Sequence, residues 1–325
     1  MVHKKRHELI AILAENEHQF ISGQALSEQL DISRTAIWKH INELKKDGYQ
    51  FESAPKKGYR LLAKPDQLNE TTIKWGLETE WLGKSIIFKE KVDSTQDLAH
   101  SLARKGAEHG TIILADRQLA GRGRMERPWV SDDSGGIWMS IILRPAIPPH
   151  QASQMTLFVA VTLVEALEQA TGQSIQIKWP NDLFINGKKI TGILTEMQAE
   201  LEAIQYLIIG FGINVNQGID QFPKEIREKV TSLKIASGQE WSRTNLVQTI
   251  LREFEKAYQL YIDSGFEAIK QKWMAHAYKL HEKIFIKTTQ ASFSATVQGI
   301  SNEGALIVKD EENVEKLIYS AEINW

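Results

Sequence analysis

The first 65 residues show the hydrophobic spacing of three short helices followed by two strands. In the first helix, apolar residues recur at helical spacing at Leu9, Ile10 and Leu13. Ser22 is predicted to cap a second helix, and Ser33 a third that spans 33–47 and ends at Gly48. Two strands are then predicted, at 49–51 and 59–62. Three helices followed by a basic hairpin predict a winged helix-turn-helix.

The middle of the chain alternates short apolar runs with longer amphipathic stretches. Strands are predicted at 86–92, 111–116, 137–143, 175–178, 193–197 and 206–209. Helices are predicted at 95–105, 151–171, 244–264 and 266–275. The run at 137–143 carries several apolar residues in succession, which indicates burial on both faces. This order of elements predicts a mixed α/β or α+β domain built on a large sheet.

After His281 the pattern changes to short strands separated by turn residues. Strands are predicted at 283–286, 293–297, 305–308 and 316–319. The pattern is typical of a small β-barrel of the SH3 type. The whole chain is therefore predicted as an α+β multidomain protein, with a winged helix at 1–65, a catalytic body at 66–278 and a β-domain at 279–325. Lys64, Pro65 and Asp66 are predicted to form the first linker.

Composition narrows the class of protein. With 42% hydrophobic and 25% charged residues, the chain has the mixture of a globular protein that buries a core. No run approaches the ~18 apolar residues of a bilayer span, and the short apolar run near the N-terminus meets Glu15 too early for a signal peptide. We therefore expect a cytoplasmic protein that does not contact membranes. The absence of cysteine excludes disulfides, thiolate zinc sites and cysteine nucleophiles.

Charge is distributed unevenly along the chain. Residues 1–65 hold 11 Lys and Arg against 8 Asp and Glu, whereas the remainder holds 28 against 33. A basic module at one end favours contact with nucleic acid. The candidate DNA contacts lie on the third helix and the wing: Ser33, Arg34, Thr35, Trp38, Lys39, Asn42, Lys56, Lys57 and Arg60. The alternative is a winged helix that docks a protein, and the basic wing favours DNA.

Residues 121–129 (GRGRMERPW) alternate glycine and arginine. Glycine lets a backbone approach a ligand closely, and arginine supplies bidentate donors for phosphate or carboxylate. Trp129 offers a flat face on which an adenine can stack. The alternative, a basic surface loop, does not account for three arginines within six residues. We call residues 121–129 the arginine loop.

A second motif, Lys178-Trp179-Pro180-Asn181-Asp182, follows a predicted strand, and Lys188-Lys189 comes shortly after it. Lysine can neutralise a phosphate, and Asp182 can hold a hydrated Mg²⁺. Alone, the motif could be a strand-ending turn with solvated lysines. Beside the arginine loop it indicates nucleotidyl transfer, for which these cations and a carboxylate are suited. Phosphate-binding and dinucleotide-binding glycine patterns are incomplete, and no GxSxG is present, so no protein nucleophile is expected.

With these motifs in this order, the chain resembles the bifunctional biotin protein ligases, which double as repressors of biotin synthesis. The resemblance covers nearly the whole chain and rests on residues 92–96, Gln118, 121–129, 178–183, 189–194 and 210–214. It implies a central domain like that of class II synthetases. It also implies that biotin and ATP form biotinyl-5′-AMP and pyrophosphate. The adenylate then acylates a lysine in a biotin carboxyl-carrier domain of acetyl-CoA carboxylase or another biotin-dependent carboxylase.

The resemblance also implies a role for each motif residue. Biotin would contact Ser94, Thr95, Gln96, Gln118, Arg122, Gly123, Arg124 and Lys189. ATP would contact Arg124, Arg127, Trp129, Lys178, Asn181 and Asn214. The catalytic group would comprise Lys178, Arg122, Arg124, Lys189 and Asp182, with Asp182 near Mg²⁺. Glu126 stands where some members of the family have glycine, which affects how the arginine loop closes.

Regulation is implied in the same way. The adenylate would order the arginine loop and favour a homodimer through a sheet edge, so that two winged helices meet two operator half-sites. Two other functions are conceivable, an effector-binding transcription factor without catalysis and a lipoate-type ligase. The triphosphate machinery argues against the first, and the polar set Ser94, Thr95 and Gln118 favours the ureido ring of biotin over lipoate. The β-domain either helps to hold ATP or the carrier, or is a structural cap.

Overall fold

The computed structural model describes residues 2–16, 19–46, 48–63, 67–200, 203–288 and 291–325. The backbone forms two compact units, Met1–Glu78 with Ser242–Gln248, and Thr79–Trp241 with Thr249–Trp325. The linker predicted at 64–66 lies outside the described residues, and the limits predicted at 65 and 278 remain predictions. Within the described part of the chain, no helix is both long and apolar enough to cross a membrane.

The N-terminal unit contains the predicted helix-turn-helix and wing. Its elements are α1 (Val2–Glu15), α2 (Gly23–Leu30), α3 (Arg34–Lys46), β1 (Gln50–Ala54), β2 (Gly58–Ala63) and α4 (Glu70–Lys74). Ser22 caps α2 by accepting the N–H of Ala25 at 3.0 Å, and Ser33 accepts the N–H of Ala36 at 3.2 Å. β1 and β2 pair as an antiparallel hairpin. The helices bury one apolar cluster, which includes Leu9, Leu26, Ile37, Ile41, Leu44 and Leu61.

The second unit is built on a seven-stranded mixed sheet in the order β3-β4-β5-β9-β8-β7-β6. Its strands are β3 (Ile86–Val92), β4 (Thr111–Gln118), β5 (Ile137–Leu143), β6 (Gln176–Lys178), β7 (Asp182–Ile185), β8 (Lys188–Glu200) and β9 (Ala203–Ile213). Every residue of β5 is buried, as its continuous apolar sequence predicts for a central strand. Its helices are α5 (Thr95–Arg104), α6 (Ala152–Thr171), α7 (Leu233–Ser237), α8 (Arg243–Ser264, which begins in the first unit) and α9 (Glu267–His276). Helix α5 packs Ala99 and Ala103 against Ile113, Ile142 and Ile208 of the sheet.

A second, five-stranded antiparallel sheet lies in the same unit, in the order β13-β12-β11-β10-β14. Its strands are β10 (Lys283–Lys287), β11 (Ser292–Ile300), β12 (Leu306–Asp310), β13 (Glu315–Ile318) and β14 (Glu322–Asn324). The turn at residues 302–304 contacts the start of α6. There, Ser153 Oγ donates to the Glu303 carbonyl at 2.6 Å and Gln154 Nε2 to the Asn302 carbonyl at 2.7 Å.

The α+β multidomain fold is confirmed, with differences in the length and number of elements. The central strands predicted at 193–197 and 206–209 are parts of β8 and β9, which are more than twice as long. Four short elements were not predicted: α4, α7, β7 and β14. These have three to five residues each, too few for a hydrophobic period to be recognised.

Candidate functional site

Glycines form the floor of the candidate site on the large sheet. Trp138 of β5, Gly212 of β9, Gly192 of β8 and Asp182 of β7 lie opposite one another in adjacent strands. A Cβ on Gly212 would come within 2.3 Å of Trp129 Nε1, and one on Gly192 within 3.0 Å of the same ring. The Trp129 ring therefore rests directly on two glycines, as only residues without a side chain allow.

Neutral polar side chains line one end of this floor. Thr95 begins α5 and donates its N–H and Oγ1 to Gln118 Oε1, at 2.8 and 3.0 Å. Ser140 Oγ lies 2.9 Å from Thr95 Oγ1 and 3.1 Å from Gln96 Oε1. Gly210 leaves room for the amide of Gln96, because a Cβ there would come within 2.3 Å of its Oε1. The N-cap residue Ser94 and all four of these polar residues are buried, so their donors and acceptors form a preorganised network.

The arginine loop forms a small hairpin beside the floor. The N–H of Gly123 donates to the Arg127 carbonyl and the N–H of Trp129 to the Gly121 carbonyl, both at 2.8 Å. Glu126, at the tip, has a φ of +55°, in the left-handed region that glycine occupies without strain. Glycine at this position would relieve that strain. The loop's side chains at 124, 126 and 127 are exposed.

Cationic side chains gather at the other end of the floor. Lys189 Nζ forms an ion pair with Asp182 Oδ1 at 2.7 Å and lies 5.2 Å from the centre of the Trp129 ring. Lys178 Nζ lies 4.9 Å from the Phe184 ring and 5.9 Å from the Trp325 ring. A tight turn with a cis peptide before Pro180 joins β6 to β7 and places Lys178 opposite Asp182.

Arg124 joins this cationic group through Asn181. Its Nη1 donates to Asn181 Oδ1 at 3.3 Å, while Asn181 Nδ2 donates to the Ile193 carbonyl at 2.7 Å. Partial burial lowers the pKa of Arg124, opposed by Asp182. Burial also lowers the pKa of Lys178, opposed by Asp182 and reinforced by Lys189 and Lys279. Cations that are partly desolvated and close to one another favour the binding of an anion.

The site offers few side chains that could coordinate a metal ion. Among the described residues, no group of three or more His, Asp or Glu side chains is placed to hold a cation. Asp182 offers one carboxylate, and one of its oxygens already pairs with Lys189. A single carboxylate fits Mg²⁺ only where the phosphates of a ligand supply further oxygens.

The structure brings most of the predicted site residues together. Thr95, Gln96 and Gln118 share one hydrogen-bond network with Ser140, Arg124 donates to Asn181, and the adjacent Asp182 pairs with Lys189. Asn214 is buried directly after the end of β9 and donates its Nδ2 to the Thr231 carbonyl at 3.0 Å. Arg127 is exposed at the loop. Arg122, by contrast, is engaged by carboxylates, with its Nη1 2.8 Å from Glu196 Oε1.

Some residues of the site were not predicted from the sequence. Ser140 and Glu196 belong to strands, where no local motif marks them, and Gly192 and Gly212 lie within motifs of the resemblance but were given no role in the site. Gly210 and Gly212 are two residues apart on one strand, so they face the same side of the sheet. This spacing was the sequence feature from which the glycine floor could have been predicted. Ser140 was also detectable, as a hydroxyl within an otherwise apolar strand.

The N-terminal unit has its own candidate surface. On α3, Ser33, Arg34, Thr35, Trp38 and Lys39 are exposed, and Asn42 is half-buried. Trp38 is 56% exposed, so it is not a packing residue. Lys56 and Lys57 are exposed on the wing, and these two faces border a groove of about 990 Å³. Arg60 contacts Glu52 and the Phe20 ring, so this wing arginine is bound within the hairpin.

Comparison with family models agrees with this arrangement. The biotin/lipoate A/B protein ligase family matches residues 88–214, which contain the glycine floor. A helix-turn-helix domain matches residues 5–60, and the biotin protein ligase C-terminal domain matches residues 284–324.

Individual relatives match over almost the whole chain. The bifunctional ligase/repressor BirA of Bacillus spizizenii is 47% identical over 98% of both chains. The bifunctional ligase/repressor BirA of Escherichia coli is 29% identical over 93% of this chain and 92% of its own. Among solved structures, a biotin protein ligase from Aquifex aeolicus in complex with biotin and ATP matches with a TM-score of 0.64. It is 30% identical over 74% of this chain and 98% of its own.

Proposed function

The chain belongs to the bifunctional ligase/repressor family of biotin protein ligases, and from this membership we propose how it activates and transfers biotin. Biotin and ATP react to biotinyl-5′-AMP and pyrophosphate, and the biotinyl group then passes to a lysine of a carboxyl-carrier domain. The same chain represses transcription through its helix-turn-helix domain.

The observation that carries this proposal is the polarity of the site from one end of the glycine floor to the other. Thr95, Gln96 and Gln118 offer neutral donors and acceptors at one end, and Lys178 and Lys189 lie at the other. Biotin has the same polarity, with a neutral ureido ring at one end and a carboxylate at the other. Its carboxylate would therefore meet ATP among the cations.

Adenylation joins two anions, so the main barrier is electrostatic. A biotin carboxylate oxygen attacks the α-phosphorus of ATP, and the bond from that phosphorus to the bridging oxygen of pyrophosphate breaks. Lys178, Lys189 and Arg124 would stabilise the charge on the α-phosphate and carboxylate where they approach. Holding both substrates in line supplies a further part of the rate by proximity.

The other residues would hold the nucleotide. Trp129 would stack on adenine, Asn181 and Asn214 would contact the nucleotide, and Arg127 would contact the pyrophosphate. Asp182 would hold Mg²⁺ together with the phosphates, and a bound Mg²⁺ would neutralise part of the triphosphate charge.

Transfer needs an amine that is not protonated. The ε-amine of the carrier lysine attacks the acyl carbon of the mixed anhydride, AMP leaves with the electrons of the broken bond, and the amine loses its proton. Asp182, which pairs with Lys189, would steady the incoming amine. Since ATP and carrier proteins are cytoplasmic, we place both steps in the cytoplasm.

For the repressor role, we propose that biotinyl-5′-AMP is the corepressor. Adenylate-bound protomers would pair through an edge of the large sheet, whose outer strands are β3 and β6. The resulting two-fold dimer would present two winged helices to an operator with two half-sites.

The proposal is tested by ATP–pyrophosphate exchange. We expect the purified chain to incorporate labelled pyrophosphate into ATP when biotin is present, and not when lipoate replaces it. Exchange that depends on lipoate, or that needs neither acid, would refute biotin adenylation.

A further inference from the structure

Arg122, the first arginine of the arginine loop, is already occupied by carboxylates. Its Nη1 lies 2.8 Å from Glu196 Oε1 and its Nη2 lies 3.1 Å from Glu196 Oε2, which is the bidentate geometry of a strong charge-assisted pair. Its Nη2 also donates to Asp97 Oδ1 at 3.0 Å. Glu126, within the loop, lies 3.6 Å away. Three carboxylates already surround this guanidinium, so it has little capacity left for an anionic ligand.

The carboxylates come from two rigid elements. Glu196 lies on β8, on the same face as Gly192, because residues 192, 194 and 196 alternate with those that face away. Asp97 lies in the first turn of α5. The Arg122–Glu196 pair is partly shielded, with 20% and 28% of the side chains exposed.

Glu196 is further held by His100, whose Nε2 lies 3.1 Å from Glu196 Oε2. The hydrogen bond from His100 and, next to it, that from Arg122 lower the pKa of Glu196 to about 2, against the opposing effect of burial. Glu196 is thus ionised at neutral pH, and Arg122 is permanently charged. The pair persists throughout the pH range in which the enzyme would work.

Arg124 has the opposite environment. Among the described residues its guanidinium donates only to the neutral amide of Asn181, at 3.3 Å, while burial lowers its pKa and the nearby charge of Asp182 raises it. Its remaining N–H donors are therefore available to a ligand. It is two residues from Arg122 in a hairpin closed by the bond from Gly123 to Arg127, so the position of Arg122 governs the position of Arg124.

We infer that Glu196 and Asp97 are positioning residues, which fasten the arginine loop to β8 and α5 through Arg122 so that Arg124 meets the reacting carboxylate and phosphate. This division of roles rests on the proposed function and refines it. Arg122, which the resemblance places over the biotin carboxylate, would then fasten the loop, and Arg124 would contact the substrate.

The inference predicts that Glu196→Gln loosens the loop without removing a reacting group. Loss of a charged hydrogen bond of this kind corresponds to an effect of about tenfold. We expect biotinyl-5′-AMP to escape into solution about tenfold faster and the KM for biotin to rise. The single-turnover rate of adenylate formation at saturating substrates should stay within about twofold. Asp97→Asn should have the same effect with a smaller size, because Asp97 is more exposed.

A double-mutant cycle separates fastening from substrate contact. If Arg122 acts through Glu196, Arg122→Met and Glu196→Gln have the same effect and the double variant is no worse than either. If Arg122 contacts substrate, Arg122→Met lowers the single-turnover rate and its effect adds to that of Glu196→Gln. Glu200→Gln, an exposed carboxylate farther along β8, is the matched control and should equal the wild type.

Limited trypsin digestion gives a readout that needs no substrate. Glu196→Gln should be cleaved after Arg124, which Met125 follows, about tenfold faster than wild type, with an unchanged far-ultraviolet circular dichroism spectrum. If wild type makes no adenylate, the proposed function fails while digestion still tests the fastening. If wild type is active but Glu196→Gln matches it in adenylate escape and in digestion, only the present inference fails.

Discussion

At the scale of single residues, the site depends on glycines, whose missing side chains leave room for larger groups. Trp129 rests on Gly212 and Gly192, and the amide of Gln96 fills the space above Gly210. A strand normally disfavours glycine, since glycine has no side chain to pack and loses more entropy on folding. Three glycines on adjacent strands are therefore explained by the close approach of a ring and an amide, and of any ligand between them.

We expect Gly212→Ala to impair nucleotide binding more than folding. The new Cβ would lie 2.3 Å from Trp129 Nε1, so the indole must move off the floor on which adenine is proposed to stack. We expect the KM for ATP to rise about tenfold, which corresponds to roughly 1.4 kcal/mol and lies near the upper end of the range for an aromatic contact.

The control is Gly218→Ala, where the nearest atom to a new Cβ is 3.8 Å away. Both variants are compared by exchange kinetics and by the quenching of tryptophan fluorescence on adding ATP. An equal KM for ATP in the two variants would show that ATP binding does not depend on the position of Trp129 over Gly212.

At the scale of elements, a turn of the small sheet contacts the turn of the large sheet that carries Lys178 and Asn181. Trp179 Nε1 donates to the Gly304 carbonyl at 3.1 Å, and Trp179 is buried next to Lys178 and Pro180. The neighbouring Asn302 and Glu303 carbonyls accept bonds from the start of α6. The β-domain thus reaches the segment that carries Lys178, the proposed α-phosphate contact, which favours a part in shaping the site over a purely structural cap.

Trp179→Phe should show this support. The substitution keeps an aromatic ring at this position, but the Gly304 carbonyl loses its hydrogen-bond donor, which costs about 1–3 kcal/mol of stability. We expect the melting temperature to fall by a few degrees and kcat for exchange to fall severalfold, because Lys178 and Asn181 shift with the turn. Trp241→Phe, which also loses one indole hydrogen bond, to Ser237 Oγ, should lower stability alone. Equal kcat in both variants would identify the turn as structural only.

Elements were predictable where a hydrophobic period ran long enough. The bounds of β3 and β5 match the predictions at 86–92 and 137–143 because apolar residues define both ends. The ends of β8 were not found, since glycine and threonine interrupt its pattern and both glutamates look like solvent positions. Within the site, residues that share a short sequence motif were predicted. Glu196, the partner of Arg122, was not predicted, because it lies 74 residues away and the two meet only once the strand and the loop are folded.

At the scale of the whole molecule, the two activities occupy different compact units. The candidate DNA contacts belong to Met1–Glu78, and the adenylating residues belong to Thr79–Trp241. Arg34, Trp38 and Lys39 can therefore be changed without touching the candidate ligand site. We propose that biotin and ATP affect DNA binding through a change in assembly, namely formation of the proposed dimer.

Gel shifts with operator DNA test that link. With biotin and ATP we expect a dimer–DNA band at a concentration at least tenfold lower than without them, because pairing two half-site contacts makes the second one intramolecular. Binding should fall steeply with salt, since each phosphate contact contributes a slope of about −0.9 in log affinity against log salt.

Two variants separate DNA contact from adenylate formation. Trp38→Ala with Lys39→Ala should lose the DNA band and keep full biotin-dependent exchange. Lys178→Ala should form little adenylate and so bind operator weakly even with biotin and ATP, but recover when synthetic biotinyl-5′-AMP is added. That recovery distinguishes the adenylate from its precursors as the species that promotes dimer formation. Wild-type protein that binds operator equally with and without biotin and ATP would contradict the corepressor proposal and leave the ligase intact, because exchange is measured without DNA.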